Sequence, residues 1–424
     1  MEFRLCLFAL LFPALYCFAG KSNRDTLRLT IPESEELLLH NNLPLLAAHY
    51  NINANQAFER QAKLSDNPVI NTDQNIYDGS GFFKHNQVNG QVFVQVMQLI
   101  KTARKRNKLI KLANDNTDIS TSQFDDLVRT LRYSLLSDLF EINDQLRIRQ
   151  LYDAEISELK VLVKGTDEEL QFGNISVKDN IRIKALLFDL QNELINVDAQ
   201  LINLQSEVKL LLHQSDSSFI VPAIRYNFPD LVSVNIPSEQ QLLALADSSR
   251  PDLKVQQFEL NAADHNLSYQ KALAKPDFNI GTEYDQRSNY APGYVGLAIS
   301  FPLNVFNRNQ GNISAAHFNF QQQQTLYDEQ VSQVQNDVST AIAKVKFYQQ
   351  VNNVQQVDFA AKNDTVFQNM FKSYQQRQVS LLEFIDFADA YKETKLKIIE
   401  QQSSLVQAIN SLNYATGKDV VHLN

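Results

Sequence analysis

Few residues in this sequence are arranged for reaction chemistry. The histidines stand singly, with no pair four residues apart: His40, His49, His85, His213, His265, His317 and His422. A metal site needs several such ligands at defined spacings. The serines come without a Gly-x-Ser-x-Gly turn, and Gly-rich phosphate loops are absent. The sequence therefore predicts no enzyme, no resident metal and no cofactor.

One pair of acidic residues is spaced for a shared surface. Glu383 and Asp386 are three residues apart, so they lie on one face of a helix. A third acid, Asp179, follows Ser176 in the first half of the chain. Carboxylates that converge on one axis attract cations and repel anions. Acids near a helix start are also favoured by the helix dipole alone, so both interpretations stay open.

The composition favours long helices to position these residues. Only 11 Gly and 11 Pro occur in 424 residues, whereas average usage predicts roughly 30 and 20. With 44% hydrophobic and 21% charged residues, disorder, collagen-like repeats and a turn-rich β-sandwich are excluded. The 39 basic and 48 acidic residues give a net charge of −9, which argues against nucleic acid as the main partner.

The first 19 residues are predicted to be a signal peptide. Arg4 precedes an almost wholly apolar run, and a small-residue cleavage pattern extends from Cys17 to Ala19. Both cysteines, Cys6 and Cys17, lie in this segment, so a mature chain without thiols is expected. Lipidation of Cys17 is an alternative, which the bulky Tyr16 disfavours. No run of 18 apolar residues follows, so no membrane-spanning helix is predicted.

The two halves of the chain carry the same features in the same order. Pro44 and Pro68 are matched by Pro251 and Pro276, at offsets of 251 − 44 = 207 and 276 − 68 = 208. A steady offset indicates an old tandem duplication. The predicted segments are a signal peptide (1–19), a first repeat (20–214), a proline-containing linker (215–250) and a second repeat (251–424).

Within each half, one type of segment has a 3.5-residue apolar period. Its clearest stripe alternates spacings of four and three: Ile183, Leu187, Leu190, Leu194, Val197, Leu201, Leu204, Val208 and Leu211. Similar stripes run from Phe124 to Leu146 and from Val331 to Val345. This period is typical of coiled-coil packing, and the first stripe predicts a helix of about 42 Å. A narrow apolar seam beside many polar residues indicates long helices that line an aqueous space.

The other type of segment alternates with a period of two. In Phe278–Asp285 the apolar and polar residues fall on opposite faces, and Val295, Leu297 and Ile299 share one face of the next segment. The first half has a blurred strand from Val69 to Tyr77 and a clearer one in which Val92, Val94 and Val96 share a face. About ten residues suffice to cross a bilayer as a tilted barrel strand.

These strands predict a shared barrel with two chemically different faces. Phe278, Ile280, Val295, Leu297 and Ile299 are expected to face lipid. The residues expected to face water are Asn279, Glu283 and Asp285. Four strands per chain cannot close a barrel, because small barrels need at least eight. Several chains must therefore contribute.

Together with the repeat, two local motifs resemble the TolC-type outer-membrane efflux proteins. The motifs are Ser249–Leu253 (SRPDL) and Ile299–Gly311 (ISFPLNVFNRNQG). The resemblance covers nearly all of the mature chain. It implies a homotrimer with a twelve-stranded barrel in the outer membrane and a long α-helical tunnel in the periplasm. It also implies a periplasmic adaptor and an inner-membrane pump as partners.

The same resemblance implies roles for residues at the tips of the hairpins, which are Gly173, Ser176 and Ser380. Threefold repetition would turn Asp179, Glu383 and Asp386 into acidic rings at the periplasmic entrance. Tyr374 and Arg377 would tie neighbouring hairpins together and hold the entrance shut. The alternative for this pair is a solvated helix end. Arg377 departs from the family, in which Gly is usual at the second tip.

Three classes of function are compatible with this sequence. The first is the passive exit duct of a tripartite efflux system, and the second is the outer-membrane channel of type I protein secretion. The third is a periplasmic coiled-coil spacer without a barrel. The run Phe306–Gly311 resembles the branch paired with heavy-metal exporters more than the drug branch.

Overall fold

The chain runs twice through the same order of elements: a helix, two strands and a long helical hairpin. The computed structural model describes residues 26–77, 79, 81–85, 90–214, 218–224, 228–352 and 354–423. The predicted signal peptide lies outside these residues. Most of the described chain is helical, as the scarcity of Gly and Pro predicted.

The described residues contain ten helices and six strands. The helices are α1 (Ile31–Asn41), α2 (Leu43–Ala62), α3 (Lys105–Gln171), α4 (Val177–Leu211), α5 (Phe228–Ser233), α6 (Glu239–Ser249), α7 (Pro251–Leu273), α8 (Gln310–Val351), α9 (Val354–Gln375) and α10 (Leu381–Thr416). The strands are β1 (Thr26–Leu29), β2 (Val69–Gln74), β3 (Val92–Ile100), β4 (Phe219–Pro222), β5 (Phe278–Arg287) and β6 (Pro292–Ser300). Within these ranges no helix is both long and apolar enough to cross a membrane.

The first hairpin is built from α3 and α4. Helix α3 has 67 residues, which corresponds to about 100 Å. The predicted stripe on α4 forms the seam with α3, where Ile183 and Val208 are fully buried in one apolar cluster that includes residues of α3. The 3.5-residue period therefore placed the buried face of this hairpin correctly.

The second hairpin differs from the first because its descending arm is interrupted. Its apolar stripe is buried on α8 as predicted, with Val338 and Val345 fully buried. Helix α8 then ends at Asn352, whose backbone (φ −92°, ψ 45°) leaves the helical region. The buried Asn352 side chain donates to the carbonyls of Tyr348 (2.8 Å) and Gln401 (3.0 Å). The first bond is made to the last turn of α8 and the second joins this helix end to α10. Helix α9 starts as a separate helix.

A four-stranded antiparallel sheet joins the two halves in the order β2-β3-β5-β6. Its central pairing, β3 with β5, sets Val96 opposite Thr282 and Gln95 opposite Glu283. The register places Val92, Val94 and Val96 on one face, as predicted. The first strand is shorter than predicted: β2 ends at Gln74, and Tyr77 forms only an isolated bridge to Phe82.

The step from sheet to hairpin uses the same backbone conformation in both halves. Arg104 before α3 (φ 57°) and Asn309 before α8 (φ 60°) are both left-handed. Beside the first step, the buried Lys105 ammonium contacts the Asp277 carboxylate at 2.7 Å and the Lys275 carbonyl at 2.6 Å. This contact fixes the end of the sheet to the start of α3.

A buried ion-pair network lies where α7, α8 and α10 meet. Arg250 is only 3% exposed. Its guanidinium donates to Asp252 (2.5 and 3.0 Å), to Asp337 (2.9 Å) and to the Ala415 carbonyl (3.2 Å). Arg129 of α3 also contacts Asp252, at 3.1 Å. The Arg-Pro-Asp motif (Arg250–Asp252) thus joins four helices: α3, α7, α8 and α10.

Candidate functional site

The tip of the first hairpin is a tight turn closed by a helix cap. Gly173 has φ 75°, a left-handed conformation that glycine adopts without steric cost. Ser176 then caps α4: its Oγ accepts the Asp179 N–H at 3.1 Å and donates to the Asp179 carboxylate at 2.8 Å. The predicted acid Asp179 is therefore held at the helix start, half-buried.

The tip of the second hairpin has the same shape without the glycine. Arg377 occupies the left-handed region at φ 56°, which costs a non-glycine residue roughly 1–2 kcal/mol. Arg377 in place of glycine thus changes the side chain at this tip, whereas the backbone keeps the same left-handed conformation as at Gly173. Ser380 caps α10, and its N–H and Oγ both donate to the Glu383 carboxylate at 2.8 Å.

These caps determine the state of the two predicted acids on α10. Glu383 has a pKa below its usual range because its carboxylate accepts the Ser380 backbone N–H and then the Ser380 hydroxyl. It is fully ionised at neutral pH and helps to start the helix. Asp386 lies one turn farther along and is exposed, as is Glu383. Each chain therefore presents two neighbouring carboxylates just behind the second tip.

Arg377 ties the second tip to the first hairpin. Its Nη2 lies 2.7 Å from the Glu169 Oε2 at the end of α3, and the Asn174 side chain donates to the same oxygen at 2.8 Å. The Arg377 side chain is 70% exposed, so this pair contributes at most about 1 kcal/mol per chain. It is a contact that can be broken without unfolding the helices.

Tyr374 makes the apolar part of the same junction. Its ring stacks on Phe384 at 4.9 Å, and Phe384 is buried among apolar residues of the first hairpin. Burial raises the pKa of the Tyr374 hydroxyl, and the nearby Asp179 carboxylate raises it further. The phenol is therefore neutral at physiological pH and faces the first tip.

The structure thus brings Tyr374 and Arg377 against the first hairpin but leaves Glu383 and Asp386 on the free surface. The sequence did not reveal Glu169 or Phe384 as partners. One signal for Glu169 was available: an acid in the last turn of α3 opposes the helix dipole, so a cationic partner was to be expected.

One histidine has a carboxylate partner that its isolation in the sequence concealed. The His265 Nδ1 of α7 lies 2.5 Å from Oδ2 of the buried Asp115 of α3. In the part of the chain that the structure describes, no three His, Cys, Asp or Glu residues are grouped to hold a metal ion. The pair joins two helices.

Comparison with known proteins finds a family model that matches part of the chain and solved structures with the same fold. Residues 242–418 match the family model described as outer membrane efflux protein. No curated protein matches the sequence.

Solved structures with the same fold include membrane proteins and channels. A membrane protein from Pseudomonas aeruginosa has a TM-score of 0.74 at 14% identity, with 91% of this chain and 92% of that chain covered. CusC, in structures concerned with transmembrane channel formation, has a TM-score of 0.74 at 17% identity, with 96% of each chain covered. The open state of the MtrE outer membrane channel of Neisseria gonorrhoeae has a TM-score of 0.72 at 14% identity, covering 92% of this chain and 89% of that one.

Proposed function

We propose that this chain is an outer membrane efflux protein, on the match of residues 242–418 to that family model, and that three copies form the passive exit duct of a tripartite efflux system. Membership in this family would make it a transport protein of the outer membrane that extends into the periplasm, not an enzyme. The proposed duct would carry substrates from an inner-membrane pump and a periplasmic adaptor to the exterior.

The two-faced sheet is the observation that carries this proposal. On one face Val295, Leu297 and Ile299 are 72%, 67% and 57% exposed, although all are apolar. On the other face polar side chains bond across the strands: Asn71 to Gln95 (3.2 Å), Gln95 to Glu283 (2.9 Å) and Gln91 to Asp285 (2.5 Å). An apolar outside and a polar inside are what a water-filled membrane barrel needs. Three copies would supply 3 × 4 = 12 strands.

A second apolar stripe on α4 supports contact with a neighbouring copy. Ile181, Phe188, Ile195 and Ile202 repeat every seven residues and are 58–64% exposed. They lie away from the seam that packs on α3. A heptad stripe on the open side of a helix is suited to a further helix. We assign it to the next subunit of the trimer, which continues the tunnel wall.

The trimer can be tested through this stripe. Replacing Phe188 and Ile195 by Asp should dissociate the detergent-solubilised protein into monomers, because each interface loses two apolar side chains of about 1.5–3 kcal/mol each. The wild-type mass from light scattering should be that of three chains. Gln200→Asp adds a charge on an exposed position of the same helix and should leave the trimer intact. A monomeric wild-type protein would contradict the shared barrel and with it the duct.

The hairpin tips are the proposed entrance of the duct. Threefold repetition would place three copies of Glu383, Asp386 and Asp179 around one axis, where they favour cations. The Arg377–Glu169 pair and the Tyr374 stacking contact would hold the tips in the resting arrangement. An adaptor that binds separated tips more tightly than packed ones would open the entrance by population shift.

The proposed substrates are heavy-metal ions, on the resemblance of the run Phe306–Gly311 to that branch of the family. In this proposal the pump selects the ion and the duct only conducts it.

A further inference from the structure

A cluster of carboxyl groups, centred on the buried Glu155, lies between the two hairpins, well behind the tips. Glu155 of α3 is only 6% exposed. Three carboxyl oxygens here are buried without a hydrogen-bond partner: Glu155 Oε1, Glu158 Oε2 and Glu193 Oε2. Buried carboxylates normally have several hydrogen bonds or a cation each. A cluster with this many unpartnered oxygens favours the protonated form of at least one member.

All four helices around Glu155 contribute groups to the cluster. Helix α3 contributes Glu158 and Tyr152, α4 contributes Glu193, and α10 contributes Asp389, Tyr391 and Lys392. Helix α9 contributes Gln368, which donates to Glu158 at 2.9 Å, and Asp364, which accepts the Tyr391 hydroxyl at 2.8 Å and pairs with Lys395. Apolar side chains including Leu159, Leu190 and Phe367 close the space around Glu155 and Lys392.

The charges in the cluster do not balance. Lys392 is the cation among Glu155, Glu158, Glu193 and Asp389; its Nζ lies 3.1 Å from Glu193 and 3.8 Å from Asp389. Burial raises the pKa of Glu155 to about 8; Lys392 opposes this rise, and the three other carboxylates add to it. Glu155 therefore holds its proton at neutral pH while the hairpins are packed.

The Asn352 backbone leaves the helical region at the end of α8, so the α9–α10 part of the second hairpin is the candidate unit of movement. We propose that separation of the α9–α10 hairpin from the α3–α4 hairpin releases a proton from Glu155 to solvent, so that packing of the tunnel wall depends on pH. The role of this movement in opening the entrance rests on the proposed function.

The direction of the pH dependence follows from linkage. In the separated state water reaches Glu155, and the pKa of its carboxyl returns toward the ordinary value of 4.5. Between pH 4.5 and about 8 the packed state binds one proton more than the separated state. Raising the pH in this window therefore favours separation, by up to tenfold in the equilibrium constant per pH unit and chain. Below pH 4.5 and above about pH 8 the two states bind the same number of protons, so the equilibrium between them no longer changes with pH.

A single tryptophan can report the separation, because the chain contains none. Phe371→Trp places the reporter on α9, at the wall of the cavity beside Glu155. In the full-length, detergent-solubilised protein, its emission should shift to the red and its quenching by acrylamide should increase between pH 5 and 8. In the Glu155→Gln background the carboxyl cannot ionise, so the emission should stay at its acid-side value throughout.

Two further variants sharpen the test. Glu168→Gln removes an exposed carboxylate from the same helix and should retain the wild-type pH response. Lys392→Gln removes the cation that lowers the Glu155 pKa and should move the response to higher pH. An equal red shift in Glu155→Gln, or no shift in the parent Phe371→Trp protein, would overturn the proposal.

The fluorescence result does not depend on conduction. If the emission responds to pH but no variant conducts ions in a bilayer, the proposed duct is wrong and the proton-linked packing stands. If the protein conducts but the emission ignores pH, the duct stands and the role of Glu155 is wrong.

Discussion

Replacing Arg250 by Met is expected to destabilise the protein by about 3–5 kcal/mol, the usual cost of removing one partner from a buried ion pair. The substitution leaves Asp252 without its closest cation and Asp337 without the buried guanidinium that donates to it. The Ala415 carbonyl also loses a hydrogen-bond donor. Urea unfolding of the detergent-solubilised protein, followed by far-ultraviolet circular dichroism, measures the change.

Arg149 is the control that separates the effect of burial on stability from the effect of charge. Arg149 bonds Asp198 at 2.8 Å, but its side chain is 45% exposed. Arg149→Met should therefore cost less than about 1 kcal/mol. If both variants lose the same stability, the Arg250 network is not the junction that holds the four helices together.

The second large effect is expected on the apolar face of the sheet, the wall of the proposed barrel. Leu297 is 67% exposed on the apolar face and lies opposite Thr282 in the sheet. Leu297→Arg should reduce the free energy of folding into lipid vesicles by about 2–4 kcal/mol if the site lies near the bilayer midplane. Folding yield in vesicles, titrated with urea, gives this value.

Asp285→Arg is the comparison variant on the opposite face. Asp285 belongs to the polar side of β5, where Gln91 donates to its carboxylate. An arginine there would remain in water, so folding into vesicles should be affected much less. The reverse order, with Asp285→Arg failing and Leu297→Arg folding normally, would mean that the lipid-facing and water-facing sides are exchanged.

Periodic patterns account for the parts of the fold that the sequence could predict. The stripe from Ile183 to Leu211 and the alternation in Phe278–Asp285 repeat over several turns or residue pairs, so single exceptions do not hide the apolar face. The predicted strand to Tyr77 was too long because its alternation is blurred. The end of α8 at Asn352 could not be predicted from periodicity, since the apolar stripe shows only where the helix packs.

Nonlocal contacts account for most of the rest. Arg377 and Glu169 are 208 residues apart, and no local pattern relates them. The buried Glu155 lies in a helix that is otherwise rich in surface acids, so its environment depends on α4, α9 and α10. One local signal for a helix start was present. A Ser followed three residues later by a Glu is the sequence of a capping box, and Ser380 and Glu383 form such a box at the start of α10.

The central claim is that the chain forms a passive conduit whose entrance is restricted by contacts between the hairpin tips. The most direct test is the unitary conductance of the purified trimer in planar bilayers, compared between wild type and Arg377→Ala. We expect small, cation-favouring steps in the wild type and larger steps in Arg377→Ala, because three Arg377–Glu169 contacts of up to about 1 kcal/mol each are lost. Arg182→Ala, an exposed arginine near the first tip, should behave as wild type. A folded trimer that gives no steps, or equal steps in wild type and Arg377→Ala, would contradict the claim.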